Sequence, residues 1–194
     1  MVVFVVFGPQ GSGKSTQVAR LAAQHNLTVF EAGKVLRDRA AVDDGLHRQI
    51  SQGILVADGT MLIIVDEFIA ESGTVNGYVF DGYPRNDNQF EGFKMLVDKY
   101  GWKVAGIFIN LSDKSAKERL RTRYRIVNGR KVTREDDQPE IVQKRLETFK
   151  KETLPLKERF GRFYRLLEID GEPPMDDVTA QVFSVVDDFL DARD

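Results

Sequence analysis

The chain has 194 residues, with 28 Lys and Arg against 30 Asp and Glu, two His and no Cys. A formal charge of −2 argues against a dedicated nucleic-acid or membrane-surface role, and without Cys there is neither a disulfide nor a thiolate metal site. The length suits one core, Met1 leads straight into an apolar run without a basic leader, and no apolar run approaches roughly 18 residues, so the expectation is a cytoplasmic protein, monomeric by default, with no membrane and no nucleic-acid partner.

Val2 to Phe7 (VVFVVF) is an unbroken apolar, β-branched run ending at Gly8, the pattern of a strand buried on both faces. Gly8, Pro9, Gln10, Gly11, Ser12, Gly13, Lys14 and Ser15 then spell GxxxxGK[S/T] ahead of an amphipathic run with Val18, Leu21 and Ala22. Strand before and helix after are the context of a phosphate-binding loop. Its glycines let backbone N–H groups turn toward phosphate oxygens, and the following helix presents its positive end to them. Lys14 adds a point charge, and Ser15 offers a hydroxyl to Mg²⁺. The plainer alternative is a Gly-rich turn that merely joins strand to helix; the flanks count against it.

The helix is expected to end near His25. Leu27 to Phe30 is a short β-prone run broken by Glu31, Ala32 and Gly33, and Lys34 to Ala41 and Leu46 to Gln52 read as short, half-exposed helices outside the main sheet. Gly53 to Asp58 makes another break, with Asp58 or Thr60 expected to cap a helix from Met61 to Glu71. Tyr78 to Phe80 is a second buried strand, stopped by Asp81, Gly82, Tyr83, Pro84 and Arg85, and Gln89 to Lys99 shows near-helical apolar spacing. Val104 to Leu111 is a third strand, and Asp113 is expected to cap the helix carrying Arg119 and Arg123. Strands alternating with helices at these intervals indicate βαβ units and a parallel sheet.

From Tyr124 to Thr133 the chain reads YRIVNGRKVT, where Asn128 and Gly129 are a strong hairpin signal, so a small β-hairpin lid is expected. Thr133 to Lys151 resumes a helical pattern, Pro155 is expected to break it, and a further helix runs to about Phe160. Tyr164 to Ile169 reads as a last strand, with a loop from Asp170 to Pro174 before a final helix from Asp176 to Leu190. There is no internal repeat and no low-complexity segment.

Lys117 to Arg134 holds eight cations (Lys117, Arg119, Arg121, Arg123, Arg125, Arg130, Lys131, Arg134) against one anion, Glu118. A solvated or RNA-binding face is one reading, but only Tyr124 is there to stack on bases. On a helix, Arg119 and Arg123 share a face and reach a triphosphate held at Lys14; on a strand, Arg119, Arg121, Arg123 and Arg125 would line one face and favour the first reading. Phosphoryl transfer needs positioning and charge neutralisation more than covalent chemistry, and a phosphate acceptor is already ionised and needs no general base. The chain fits that need, with abundant Arg, His25 and His47 read as surface residues, and no CxxC, HExxH or GxSxG. Asp81, ending a buried strand, is placed to hold water ligands of Mg²⁺, or simply to form the turn before Gly82.

Together these motifs resemble the adenylate kinase family of nucleoside monophosphate kinases over essentially the whole chain. GPQGSGKSTQ (Gly8 to Gln17) is similar to the family's phosphate loop, EAGKVLR (Glu31 to Arg37) to the start of its monophosphate-binding insert, and GILVAD (Gly53 to Asp58) to that insert's return. DGYPRNDNQ (Asp81 to Gln89) resembles its DGFPR signature, with Gln89 where the family reads the adenine edge, and Arg134, Asp136, Asp137 and Arg145 match its RxDD and RLE pattern.

The resemblance implies an α/β P-loop NTPase fold, a five-stranded parallel sheet flanked by helices. It divides the chain into a core (1–30, 61–123, 135–194), a helical monophosphate-binding insert at about 31–60 and a short lid at about 124–134. The implied activity is reversible, Mg²⁺-dependent phosphoryl transfer from ATP to AMP, giving two ADP. Gly11, Ser12, Gly13, Lys14, Ser15 and Thr16 would hold the ATP phosphates, Lys14 and Arg123 reaching the β- and γ-phosphates. Arg119 would stack on the donor base, and the backbone near Pro173 would face it. Ala32, Arg37, Leu55, Val56, Gly82, Arg85 and Gln89 would form the acceptor site, with Arg37 and Arg85 on the α-phosphate. Arg134 and Arg145 would bridge the two nucleotides in the transition state, completing a catalytic set with Lys14, Arg85 and Arg123. Mg²⁺ would sit near Ser15 and Asp81, through water, while lid and insert close together.

Some positions depart from the pattern. Ser15 stands where many adenylate kinases have Gly. Ala32 stands where they usually have Thr and UMP/CMP kinases have Ala; Asn86 is also similar to that second group, while Gln89 points to the first. UMP or CMP is therefore the alternative acceptor. The alternative from another class is a P-loop nucleotide-binding switch, though Asn110-Leu111-Ser112-Asp113 lacks the Lys of the guanine-reading NKxD run. A small-metabolite kinase would leave Arg85 and Gln89 without a partner.

Overall fold

The computed structural model describes residues 1–41, 43–51, 56–122, 125–127, 130–132 and 138–192. Its elements are β1 (Val2–Phe7), α1 (Lys14–His25), β2 (Thr28–Glu31), α2 (Ala32–Ala40), α3 (Asp44–Ser51), α4 (Asp58–Glu71), β3 (Gly77–Asp81) and α5 (Asp87–Tyr100). Then come β4 (Lys103–Asn110), α6 (Asp113–Arg121), β5 (Arg125–Val127), β6 (Arg130–Val132), α7 (Pro139–Thr148), a π-helical turn (Phe149–Thr153), α8 (Leu154–Phe163), β7 (Arg165–Asp170) and α9 (Met175–Asp191). Strands β2-β3-β1-β4-β7 form one five-stranded parallel sheet, as expected, and β5 and β6 pair antiparallel as the expected hairpin. Asn128 and Gly129, expected to form its turn, lie outside the described residues.

Alternation along β1 sorts the core into two layers, because successive side chains of a strand point to opposite faces. Val3, Val5 and Phe7 join Phe30, Phe80, Phe93 and Phe160 on the face covered by α4, α5 and α8. Phe4 and Val6 join Val18, Leu21, Val182, Val186 and Phe189 on the face covered by α1 and α9. Ala116 and Leu120 of α6 pack with Val142 and Leu146 of α7 in a separate small cluster. Among the described residues no helix is long and apolar enough to cross a membrane.

The chain leaves β1 toward one side of the sheet and, after β3, passes to the other, which makes the β1–β3 edge a topological switch point. In parallel sheets that crevice, outside the carboxyl ends of the strands, is where ligands bind. The register sets Val6 opposite Asp81 and Glu31 opposite Asp81, bringing three loop starts to one rim.

Several local expectations give way to tertiary partners. No break separates β2 from α2, which begins at Ala32. Asp58 does not cap from outside: α4 starts at Asp58 itself, Ala57 holds the cap position and Thr60 lies within the helix. The Asp58 carboxylate instead accepts from Asn86 Nδ2 (2.8 Å) and Asn88 Nδ2 (3.1 Å). At α6 the cap is Ser112, whose hydroxyl accepts from Ser115 N–H, while Asp113 pairs with Lys150 at 2.5 Å. Pro155 breaks nothing, because it sits in the first turn of α8, where its missing N–H is not needed, and α8 continues to Phe163. The helical run expected from Thr133 starts at Pro139 among the described residues.

Candidate active site

The loop after β1 turns into α1 through Gly13, which holds the cap position at φ 86°, a left-handed conformation that glycine adopts freely. Lys14 Nζ folds back across the loop and donates to the carbonyls of Gly8 (2.8 Å) and Pro9 (2.9 Å). Ser15 Oγ donates to Asp81 Oδ2 at 2.5 Å, joining the start of α1 to the end of β3. Ser12 is buried, and its hydroxyl has no partner among the described residues.

A cleft of about 580 Å³ opens above this loop. It is lined by Gly11, Gly13, Lys14, Ser15 and Thr16, by Ala32, Arg37, Val56, Gly82, Arg85 and Gln89, and by Arg119, Arg145, Phe149 and Met175. Most of the sequence-derived site residues are thus gathered in one place. Leu55, Arg123 and Arg134 lie outside the described residues, as do Asp136 and Asp137. Ser12 and Pro173 do not line the cleft.

Arg85 is held at three points. Its Nε donates to Gly82 O at 2.7 Å, its N–H donates to Gln89 Oε1 at 2.9 Å, and its carbonyl accepts from Thr153 Oγ1 at 2.7 Å. Its terminal amino groups have no acceptor among the described residues. Burial, then the like charge of Arg145, pull its pKa down to about 10; Asp81 opposes this and Arg37 adds to it. Arg37 itself pairs with Glu31 at 3.2 Å. Cations gathered around one concavity, Arg85 among them at an electrostatic cost, suit a polyanion.

Gln89 is buried, with its N–H capped by Asn86 Oδ1 (2.8 Å) and its backbone carbonyl accepting from Tyr83 OH (3.2 Å). Its Nε2 has no partner among the described residues. Arg119 Nη2 donates to the carbonyls of Gly171 (2.9 Å) and Glu172 (3.1 Å), so α6 grips the loop that contains Pro173. Glu172 binds back to α6 through Ser115 Oγ (2.6 Å) and Ser112 N–H (2.9 Å), and these bonds, Ser115 first, hold its carboxyl below the usual range.

Ser15 and Asp81 supply hard oxygen donors of the kind Mg²⁺ takes. Among the described residues no group of three or more acidic or His side chains could hold a metal alone. A Mg²⁺ ion there fits the residues only as one sharing its ligands with phosphates and water, which is this ion's habit. Sequence reading passed over Thr153, Phe149 and Met175. The cap that Asn86 makes on Gln89 did have a local signal, a polar residue three positions before Gln89 at a helix start.

A phosphate loop at the carboxyl end of the central strand, beside the switch point and facing a rim of guanidinium groups, defines a P-loop nucleotide-binding protein of the phosphoryl-handling class. The family model described as Adenylate kinase matches residues 6–164. Adenylate kinases from Parvibaculum lavamentivorans (34% identical; 94% of this chain, 90% of the relative), Deinococcus radiodurans (31%; 94% and 95%) and Cyanothece sp. (30%; 96% and 96%) are similar nearly end to end. The chain belongs to the adenylate kinase family.

Proposed function

We propose that the chain catalyses reversible transfer of the terminal phosphoryl group of ATP to AMP, giving two ADP. The observation that carries this reading is the gathering of Lys14, Arg37, Arg85 and Arg145 around one cleft, with the Ser15–Asp81 pair at its base. An oxygen of the AMP phosphate forms a bond to the γ-phosphorus, the bond to the bridging oxygen breaks, and its electron pair stays on the β-phosphate of the departing ADP. The AMP phosphate is already ionised, so no side chain need take a proton.

The phosphate loop and Lys14 hold the donor phosphates, with Arg119 against the donor base beside the Gly171–Pro174 loop. Arg37 and Arg85 hold the acceptor phosphate. Arg145, with Arg123 and Arg134 from outside the described residues, neutralises charge on the equatorial oxygens, for which planar guanidinium donors suit. Ser15 and Asp81 would hold Mg²⁺, which when bound supplies charge neutralisation on the donor phosphates. The segment at about 31–60 serves as the acceptor insert and 124–134 as a lid, closing together to exclude water as a competing acceptor. The proposed setting is the cytoplasm, with the chain acting as a monomer.

Acceptor choice rests on Gln89, whose Nε2 can donate to a ring nitrogen or carbonyl of the base, because Ala32 brings no hydroxyl. A coupled assay over AMP, GMP, CMP and UMP, with and without Mg²⁺, tests the proposal. AMP is expected to give the highest kcat/KM, and only with Mg²⁺; turnover of CMP or UMP without AMP turnover would reassign the acceptor.

A further inference from the structure

Thr153 ends the π-helical turn, is buried, and lines the cleft, although it belongs to none of the motifs above. It stands in helical conformation where α8 follows the π turn without interruption, and its hydroxyl bonds no backbone N–H of α8. Its hydroxyl donates instead to the carbonyl of Arg85, 68 positions away in the chain.

The hydroxyl belongs to a π turn. Leu154 N–H reaches back to Phe149 O, a turn wider than the α-helical one, and an added residue rotates the side chains that follow by roughly 100°. Arg145 lies earlier on the same helical run. The run therefore carries one cation of the site directly and holds a second through Thr153. Arg85 is fixed at its N–H, its Nε and its carbonyl, so among the described residues only its terminal amino groups remain for a ligand.

We infer that Thr153 is a positioning residue for the acceptor phosphate: its bond to the Arg85 carbonyl ties the helix bearing Arg145 to the loop bearing Arg85 and sets the spacing of the two guanidinium groups. The inference rests on the reaction proposed above, in which Arg85 meets the acceptor. Thr153→Val keeps the shape and removes the donor, whereas Thr153→Ser keeps the donor.

With ATP saturating, Thr153→Val is expected to raise the KM for AMP by about fivefold or more, the factor that loss of one buried hydrogen bond represents. The KM for ATP should stay within about twofold, and Thr153→Ser should restore the AMP value. Equilibrium binding of a fluorescent ATP analogue to each variant serves as the folding control. Unchanged ATP affinity beside a raised AMP KM supports the inference. A Val variant with the unaltered AMP KM, equal losses on both substrates, or a Ser variant that behaves like Val overturns it. Absence of AMP-dependent turnover in the unaltered protein would instead remove the proposed reaction itself.

Discussion

Gly82→Ala separates the energetic cost of a backbone conformation from the functional cost of moving a guanidinium. Gly82 has φ 79°, and a Cβ added there would lie 2.6 Å from Arg85 Nη2 and 3.3 Å from Nε. Alanine in that backbone region costs about 1–2 kcal/mol. For a chain of this size such a loss lowers Tm by roughly 2–8 °C. Ordinary contact needs about 3.5 Å, so the end of Arg85 must shift by close to ~1 Å. Such a shift of a flexible tip adds little to the loss of stability, but it disrupts the Nε bond to Gly82 O and displaces the donors that meet the acceptor. Misplacement on that scale costs about 10²-fold in rate. The coupled assay should therefore show kcat/KM for AMP down by about 10²-fold with ATP binding intact. Gly73→Ala is the control, since Gly73 has φ 63° and nothing lies within 4 Å of an added Cβ. It should lose similar stability and no activity. If Gly82→Ala keeps the AMP kcat/KM of the unaltered protein while both variants melt early, the held pose of Arg85 has no part in the reaction.

Arg85→Met should abolish AMP-dependent turnover while Tm stays level or rises, because burial and Arg145 disfavour the charged side chain; added AMP should stabilise the unaltered protein in thermal melts and not the variant. Glu168 is held below the usual carboxyl range by bonds from Lys157 and then Asn110, so its contribution is present above about pH 4.5 and lost as pH falls through its folded pKa. Urea melts of Lys157→Met should show a deficit below about 1 kcal/mol at pH 7 that shrinks as pH falls below about 4.5; a deficit independent of pH would refute the linkage. Phe160 is fully buried against Phe7 at 5.0 Å, Tyr164 at 5.1 Å and Phe90 at 5.6 Å. Phe160→Ala should cost about 3–5 kcal/mol, read by calorimetry as a Tm fall of roughly 6–20 °C.

Five strand runs, the phosphate loop and the pairing of β5 with β6 were legible because each is written in contiguous residues: β-branched runs, glycine spacing, a hairpin signal between two short runs. The motif set was also enough to point to the family and to most of the cleft. Caps were less legible. Asp58 and Asp113 are sound capping residues by type, yet each found a stronger partner elsewhere, Asp58 with Asn86 and Asn88, Asp113 with Lys150. Pro155 reads as a helix breaker in isolation and is harmless in a first turn.

The amino-acid sequence by itself determined which segments are strands and helices and which cations are available to meet phosphate, since both follow from local pattern and composition. Only the tertiary structure decided that β3 lies against β1, and hence that Asp81 meets Ser15, that Arg85 shares a cleft with Arg145, and that Thr153 holds the Arg85 carbonyl. Those pairings join positions far apart in the chain, and their geometry follows from sheet order, which no short run of residues encodes.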